Sequence, residues 1–238
     1  MNGYATLLFD MGYTLVYFEP PETTIIRQAL REVAAERSAD QIEAAIRAVW
    51  DAYYQQVETT TFPATEAYDR ESQQRLSQAL LSELGLPAQE LVSDYMDSLE
   101  AWFSRPGVVR PYAEVVEVLT GLLGQGYRLG IVSNWSWNLR QRVAQAGLEG
   151  FFEVVWASAY AGCNKPHPDI FAQALGQMGV TPARALYVGD SYRHDIVGAR
   201  NAGLAAVLLN REGTAEAPDC PVIGSLQELD DLLVQPYS

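Results

Sequence analysis

The amino-acid sequence predicts an α/β fold, a parallel-sheet core with an all-helical segment inserted near its N-terminus. Three observations carry this. Two apolar runs, Ala5-Thr6-Leu7-Leu8-Phe9 and Ala185-Leu186-Tyr187-Val188-Gly189, each lead directly into an aspartate, Asp10 and Asp190. In the second half of the chain, short β-prone runs alternate with helical patterns. Between residues 17 and 104 the strand signal disappears and only helical periodicity remains.

The elements follow in order. The run before Asp10 lacks polar alternation, as expected of a strand buried on both faces. Helices are then predicted over residues 22–37, 40–57, 64–84 and 88–103. In the third, Leu76, Ala79, Leu80 and Leu84 share one face. Pro20-Pro21 and Arg105-Pro106-Gly107 bracket this block as hinges. The expected organisation is therefore a core made of residues 1–16 and 105–238, with a helical cap at 17–104. An insertion that leaves directly after a site-bearing strand is placed to cover that site.

A helix over residues 112–125 closes at Gly126. Strands are expected at 129–132, 153–157, 186–188 and 205–209, giving a five-strand α/β alternation with the first. The loop 162–168 leads into a helix that Pro168 starts and that runs through residue 178. Asp195 stands near the start of a helix that ends at Gly203.

Composition narrows the function. The net charge is −14. That disfavours nucleic acid and anionic membrane surfaces as partners, since both recruit basic patches. It leaves phosphorylated small molecules open, because a metal ion and one lysine neutralise a phosphate locally. The two cysteines, Cys163 and Cys220, have no metal-ligand spacing, and a reduced, cytoplasmic setting is expected. No signal peptide or membrane-spanning run is read from the sequence.

Asp10 and Asp190 both fall at the C-terminal ends of predicted parallel strands, where open α/β sheets bind ligands. Asp195 follows closely. Carboxylates gathered at one sheet edge repel, and such a cluster is normally held by a cation, magnesium where all ligands are oxygen.

Four segments then carry a resemblance in order and spacing. They are Asp10-Met11-Gly12-Tyr13-Thr14-Leu15; Ser133-Asn134 after an apolar run; Lys165-Pro166 with Pro168 and Ile170-Phe171; and Gly189-Asp190-Ser191 with Asp195, Gly198-Ala199 and Ala202-Gly203. The chain resembles the haloacid dehalogenase-like (HAD-like) hydrolase superfamily, in the type whose helical cap is inserted after the first strand. The match spans the core; the cap agrees in position and helical character only.

The resemblance implies a Rossmann-like parallel-sheet core and a magnesium-dependent phosphatase acting on a small phosphorylated metabolite. Asp10 would be the nucleophile and pass through an aspartyl-phosphate. Magnesium (Mg2+) would be held by Asp10, the Gly12 carbonyl, Asp190 and Asp195. Thr14, Ser133 and Asn134, with backbone near Gly12, would bind phosphate, and Lys165 would neutralise the transferring group. Each residue also has an ordinary reading: Asp10 as a strand-end cap, Ser133-Asn134 as a turn, Lys165 as a solvated charge, Asp195 as a helix N-cap. Removal of Lys165 is expected to change the substrate-free fold little.

Two features depart from the family pattern. Its phosphatases usually carry an aspartate two residues after the nucleophile, as proton donor and acceptor; here that residue is Gly12. Gly12 could instead serve a left-handed backbone turn. Tyr13 is expected to pack under the cap. The second departure is Trp135-Ser136-Trp137, whose indoles either line the substrate pocket or pack between core and cap. His194 and His167 are expected to be polar loop residues. Tyr53, Tyr54 and Trp102 are expected at cap contacts, within reach of substrate.

Two rivals remain. A 2-haloacid dehalogenase would use the same aspartate without metal, but the family's dehalogenases lack the acidic pair that Asp190 and Asp195 form here. A weakly active binding or regulatory protein on the same scaffold is favoured by Gly12 alone.

Overall fold

The computed structural model describes residues 3–57, 59–213 and 219–234. In chain order the elements are β1 (Thr6–Phe9), β2 (Val16–Phe18), α1 (Glu22–Glu32), α2 (Ala39–Val57), α3 (Glu66–Glu83), α4 (Ala88–Phe103), β3 (Val109–Pro111), α5 (Val115–Gly124), β4 (Arg128–Ser133), α6 (Leu139–Gln145), β5 (Val154–Ala157), α7 (Ser158–Ala161), α8 (Pro168–Met178), β6 (Ala185–Gly189), α9 (Gly198–Asn201), β7 (Ala205–Leu209), β8 (Val222–Ile223) and α10 (Leu229–Val234).

The main sheet has six strands in the order β5-β4-β1-β6-β7-β8, and every neighbouring pair is parallel. It is the Rossmann-like core expected from the sequence, with one more strand than the five predicted. The run from Thr6 to Phe9 is buried throughout. Alternation sends Leu7 and Phe9 into one apolar layer with Leu119, Leu129 and Leu139, and Leu8 into the other with Phe171 and Leu175. Chain order reverses at β1, which is flanked by β4 on one side and β6 on the other. The ends of these three strands therefore frame the crevice of an open α/β sheet.

Helices α1–α4 bury an apolar cluster of their own, built on Ile26, Leu30, Ile42, Leu81 and Tyr95. The first helix stops at Glu32, five residues before the expected end. Ala34 there takes a left-handed φ of 57°, and the Ala35 N–H turns back to the Leu30 carbonyl at 2.9 Å. The predicted hinges flank a feature not read from the sequence. β2 and β3 pair antiparallel where the chain leaves and re-enters the sheet core.

The helical insertion is docked on the core at several points. Arg142 of α6 reaches Glu100 of α4 at 2.6 Å and the Phe103 carbonyl at 3.1 Å. Asp69 of α3 accepts the Trp137 N–H at 3.0 Å. The Phe62 N–H meets the Gly162 carbonyl at 2.7 Å. Gly162 holds a φ of 71°, and a Cβ there would stand 2.6 Å from the Phe62 carbonyl oxygen, so this close approach requires glycine.

Candidate active site

Three strand ends and one loop supply the site. Asp10 follows β1, Ser133 ends β4 with Asn134 after it, Asp190 follows β6, and Lys165 comes from the loop before α8. Asp10, Lys165, Ser133 and Asp195 are all nearly inaccessible to solvent. Such charges are kept inside a protein only when paired.

Lys165 does the pairing. Its Nζ donates to Asp10 Oδ1 at 2.6 Å, to Asp195 Oδ1 at 2.6 Å and to the Tyr187 hydroxyl at 2.9 Å, which engages all three ammonium hydrogens. Tyr187 in turn donates to the Val132 carbonyl at 2.6 Å. Ser133 Oγ donates to Asp10 Oδ1 at 2.8 Å, so both donors meet Asp10 at the same oxygen. Burial opposes the charge on Lys165, but Asp10 and Asp195 outweigh it and hold the ammonium well above its ordinary range.

The carboxylates are crowded. Asp10, Asp190 and Asp195 each bring one oxygen within 4.8 Å of the others. Burial raises the Asp10 carboxyl above its ordinary value, against the pull of Lys165 and with a further push from Asp195. Asp190 opens to solvent, yet the atoms packed around it and the charges of Asp10 and Asp195 push it up to about 7. A divalent cation fits this donor set, since three converging carboxylate oxygens face one internal ammonium.

The ordinary reading of Asp195 as a helix cap does not describe the structure. Ser191 Oγ caps the wide turn Tyr192–Val197 by accepting the His194 N–H. Asp195 instead turns inward, with Oδ2 accepting the Ser191 N–H at 2.8 Å. That path crosses the end of β6 at Gly189, where a Cβ would lie 2.3 Å from the Asp195 carboxylate.

Around this centre, Thr14 Oγ1 donates to Asp190 Oδ1 at 3.3 Å. Asn134 braces the lysine loop from both ends of its amide: Oδ1 accepts the Lys165 N–H at 2.7 Å and Nδ2 donates to the Lys165 carbonyl at 3.1 Å. Gly12 is not in a left-handed conformation; Tyr13 is, with φ 55°. Tyr13 reaches the insertion, donating to Glu22 of α1 at 3.3 Å and lying edge-on to Phe18. Trp135 packs against the core and also over Gly12, where its ring would touch an added Cβ at 3.4 Å. His167 caps α8, and His194 lies beneath the ring of Tyr54 at 4.4 Å.

Sequence reasoning missed Tyr187. Its one signal is a polar-tipped ring in the otherwise aliphatic run Ala185-Leu186-Tyr187-Val188.

A family model described as haloacid dehalogenase-like hydrolase matches residues 4–203, most of the chain. The chain belongs to the haloacid dehalogenase-like hydrolases. This hydrolase is 36% identical over 138 residues to the glyceraldehyde 3-phosphate phosphatase of Methanothermobacter thermautotrophicus, a match covering 53% of this chain and 60% of that protein. It is 30% identical over 189 residues to the phosphoserine phosphatase of Thermus thermophilus, covering 78% and 73%. The chain spans about half the length of several other curated relatives it matches. Among solved structures, the magnesium-bound HAD-hydrolase YfnB of Bacillus subtilis superposes with a TM-score of 0.76 at 24% identity, covering 98% of this chain and 99% of that one. The L-2-haloacid dehalogenase RSc1362 superposes at 0.74 and 21% identity, covering 97% and 98%. Both likenesses concern the fold.

Among the described residues, no helix of this hydrolase is long and apolar enough to cross a membrane.

Proposed function

We infer that this hydrolase is a magnesium-dependent phosphatase that cleaves small phosphate monoesters through an aspartyl-phosphate on Asp10, with the helical insertion, 17–104, acting as its cap. The observation that carries the reading is the convergence of Asp10, Asp190 and Asp195 around a single buried ammonium, Lys165. Phosphatase relatives support it.

Asp10 Oδ1 is tied to Ser133 and Lys165, which leaves Oδ2 as the attacking oxygen. Asp10, Asp190, Asp195 and the Gly12 carbonyl would hold the cation, with the acidic pair separating this site from dehalogenase chemistry. When bound, magnesium supplies charge stabilisation to the phosphoryl oxygens. Lys165 adds a fixed positive charge in a site screened from water, where such charge acts most strongly as the phosphoryl group transfers. Thr14, Ser133 and the backbone around Gly12 and Asn134 would complete the phosphate cradle. The Asn134 side chain serves by fixing the Lys165 backbone.

The test is a panel of phosphate esters, including glyceraldehyde 3-phosphate, phosphoserine and an activated aryl phosphate, assayed with magnesium and with excess chelator. Turnover that requires magnesium is expected. Undiminished turnover in chelator, or release of halide from a 2-haloacid in place of phosphate release, would overturn the reading.

A further inference from the structure

The site lacks an acid at position 12, and the Trp135 indole lies 3.4 Å from where such a side chain would begin. Alkyl phosphates still require a proton on the departing oxygen. In-line transfer places that oxygen on the side of phosphorus away from Asp10, and in a capped site that side faces the insertion.

Tyr54 comes from α2 of that insertion. Its ring lies on His194 at 4.4 Å and stacks with Trp50 at 5.6 Å. Its phenol is near enough to the Asn134 side chain and to the charges of Lys165 and Asp10 for all three to act on it. Asn134 is itself held by the Lys165 backbone, so the phenol is positioned against a rigid partner. Four other hydroxyls near the site already donate elsewhere. Ser133 donates to Asp10, Thr14 to Asp190, Tyr187 to Val132 and Tyr13 to Glu22. Burial raises the Tyr54 phenol above its ordinary value, with Asn134 and Lys165 limiting the rise. It therefore carries its proton at neutral pH.

We propose that Tyr54 is a catalytic residue, the proton donor to the leaving oxygen in place of the carboxyl missing at Gly12. The inference rests on the phosphatase reading above. As an oxygen of Asp10 bonds to phosphorus, the ester P–O bond breaks and its electron pair goes to the leaving oxygen. That oxygen takes the Tyr54 proton and departs as an alcohol, leaving a phenolate beside Lys165. Water then attacks phosphorus, gives a proton to the phenolate, and the Asp10–phosphorus bond breaks with its electron pair returning to the carboxylate. The sum is ester plus water to alcohol plus phosphate, with Tyr54 and Asp10 restored.

The experiment compares wild type, Tyr54→Phe and the double variant Gly12→Asp/Tyr54→Phe on p-nitrophenyl phosphate and on glycerol phosphate, with inhibition by inorganic phosphate measured alongside. Loss of a general acid costs about a hundredfold to ten-thousandfold where the leaving group needs one. The Tyr54→Phe rate on glycerol phosphate should fall at least ~30-fold further than its rate on p-nitrophenyl phosphate, while the inhibition constant for phosphate stays within about twofold. The added aspartate should recover most of the glycerol phosphate loss. Equal losses on both esters, or no loss on glycerol phosphate, overturn the role of Tyr54 and leave the phosphatase reading intact. Wild type that turns over neither ester with magnesium present overturns both.

Discussion

Lys165 Nζ lies 2.6 Å from Asp10 Oδ1, and the same ammonium lies 2.6 Å from Asp195 Oδ1. The proposed nucleophile and a proposed metal ligand thus share one buried cation. Three carboxylates against one ammonium leave the site short of positive charge until a divalent ion balances it.

Lys165→Ala should therefore affect stability as well as rate, contrary to the expectation from sequence that the fold would hardly change. The lysine is 2% exposed and its removal strands two buried carboxylates. Breaking a buried pair by removing one partner costs about 3–5 kcal/mol. Chelator-treated Lys165→Ala should melt well below wild type, and added magnesium should restore part of the difference. An unchanged melting temperature in chelator would mean that Asp10 and Asp195 relax apart without cost.

The metal-free protein should lose stability as pH rises. The Asp190 carboxyl is pushed up to about 7, against about 3.9 in an unfolded chain. Between these values the folded state binds more protons than the unfolded state, so stability falls with rising pH across that window. Thermal melts in chelator at pH 5, 6, 7 and 8 should descend, and magnesium should flatten the series because it binds the ionised form. A melting temperature that climbs through this range in chelator would contradict the charge arrangement.

These two expectations show where sequence was enough. Asp10 and Asp190 were legible because each ends a fully buried run, and strand-end position follows from local pattern. The partnership of Lys165 with both Asp10 and Asp195 was not, since it depends on how the loop before α8 folds over β6. The β2–β3 ribbon was hidden because Val16-Tyr17-Phe18 is only three residues and runs into Glu19-Pro20. The end of α1 was misplaced because Ala34, not glycine, takes the left-handed turn. Tyr54 was legible as a cap contact within reach of substrate, but its approach to the site was not. Which face of α2 meets the site is set by docking of the insertion, a long-range property.

Gly12→Asp should fold. The backbone there is not left-handed, and the added Cβ meets Trp135 at an ordinary 3.4 Å. In wild type the added carboxyl should raise alkyl-phosphate turnover more than aryl turnover, and by less than it does when Tyr54 is absent, because a proton donor is already in place. The paired rates, with a melt to verify folding, provide the check. A gain as large with Tyr54 present as without it would contradict the account.

Arg142→Ala should loosen the cap. The guanidinium is 3% exposed and joins Glu100 and the Phe103 carbonyl of α4 to the core. Losing these charge-assisted bonds should cost about 1.5–3 kcal/mol. KM should rise by more than kcat falls, since the chemical groups stay in place. A variant with wild-type KM and melting temperature would show that the cap does not depend on this anchor.

The central claim is the covalent intermediate on Asp10. Acid-quenched enzyme, taken during turnover of an aryl phosphate with magnesium present, should be analysed by peptide mass spectrometry. One added phosphoryl group is expected on the peptide carrying Asp10, absent without substrate and absent from Asp10→Asn, which should be folded and inactive. Steady turnover by Asp10→Asn, or a phosphoryl group found on another residue, would contradict it.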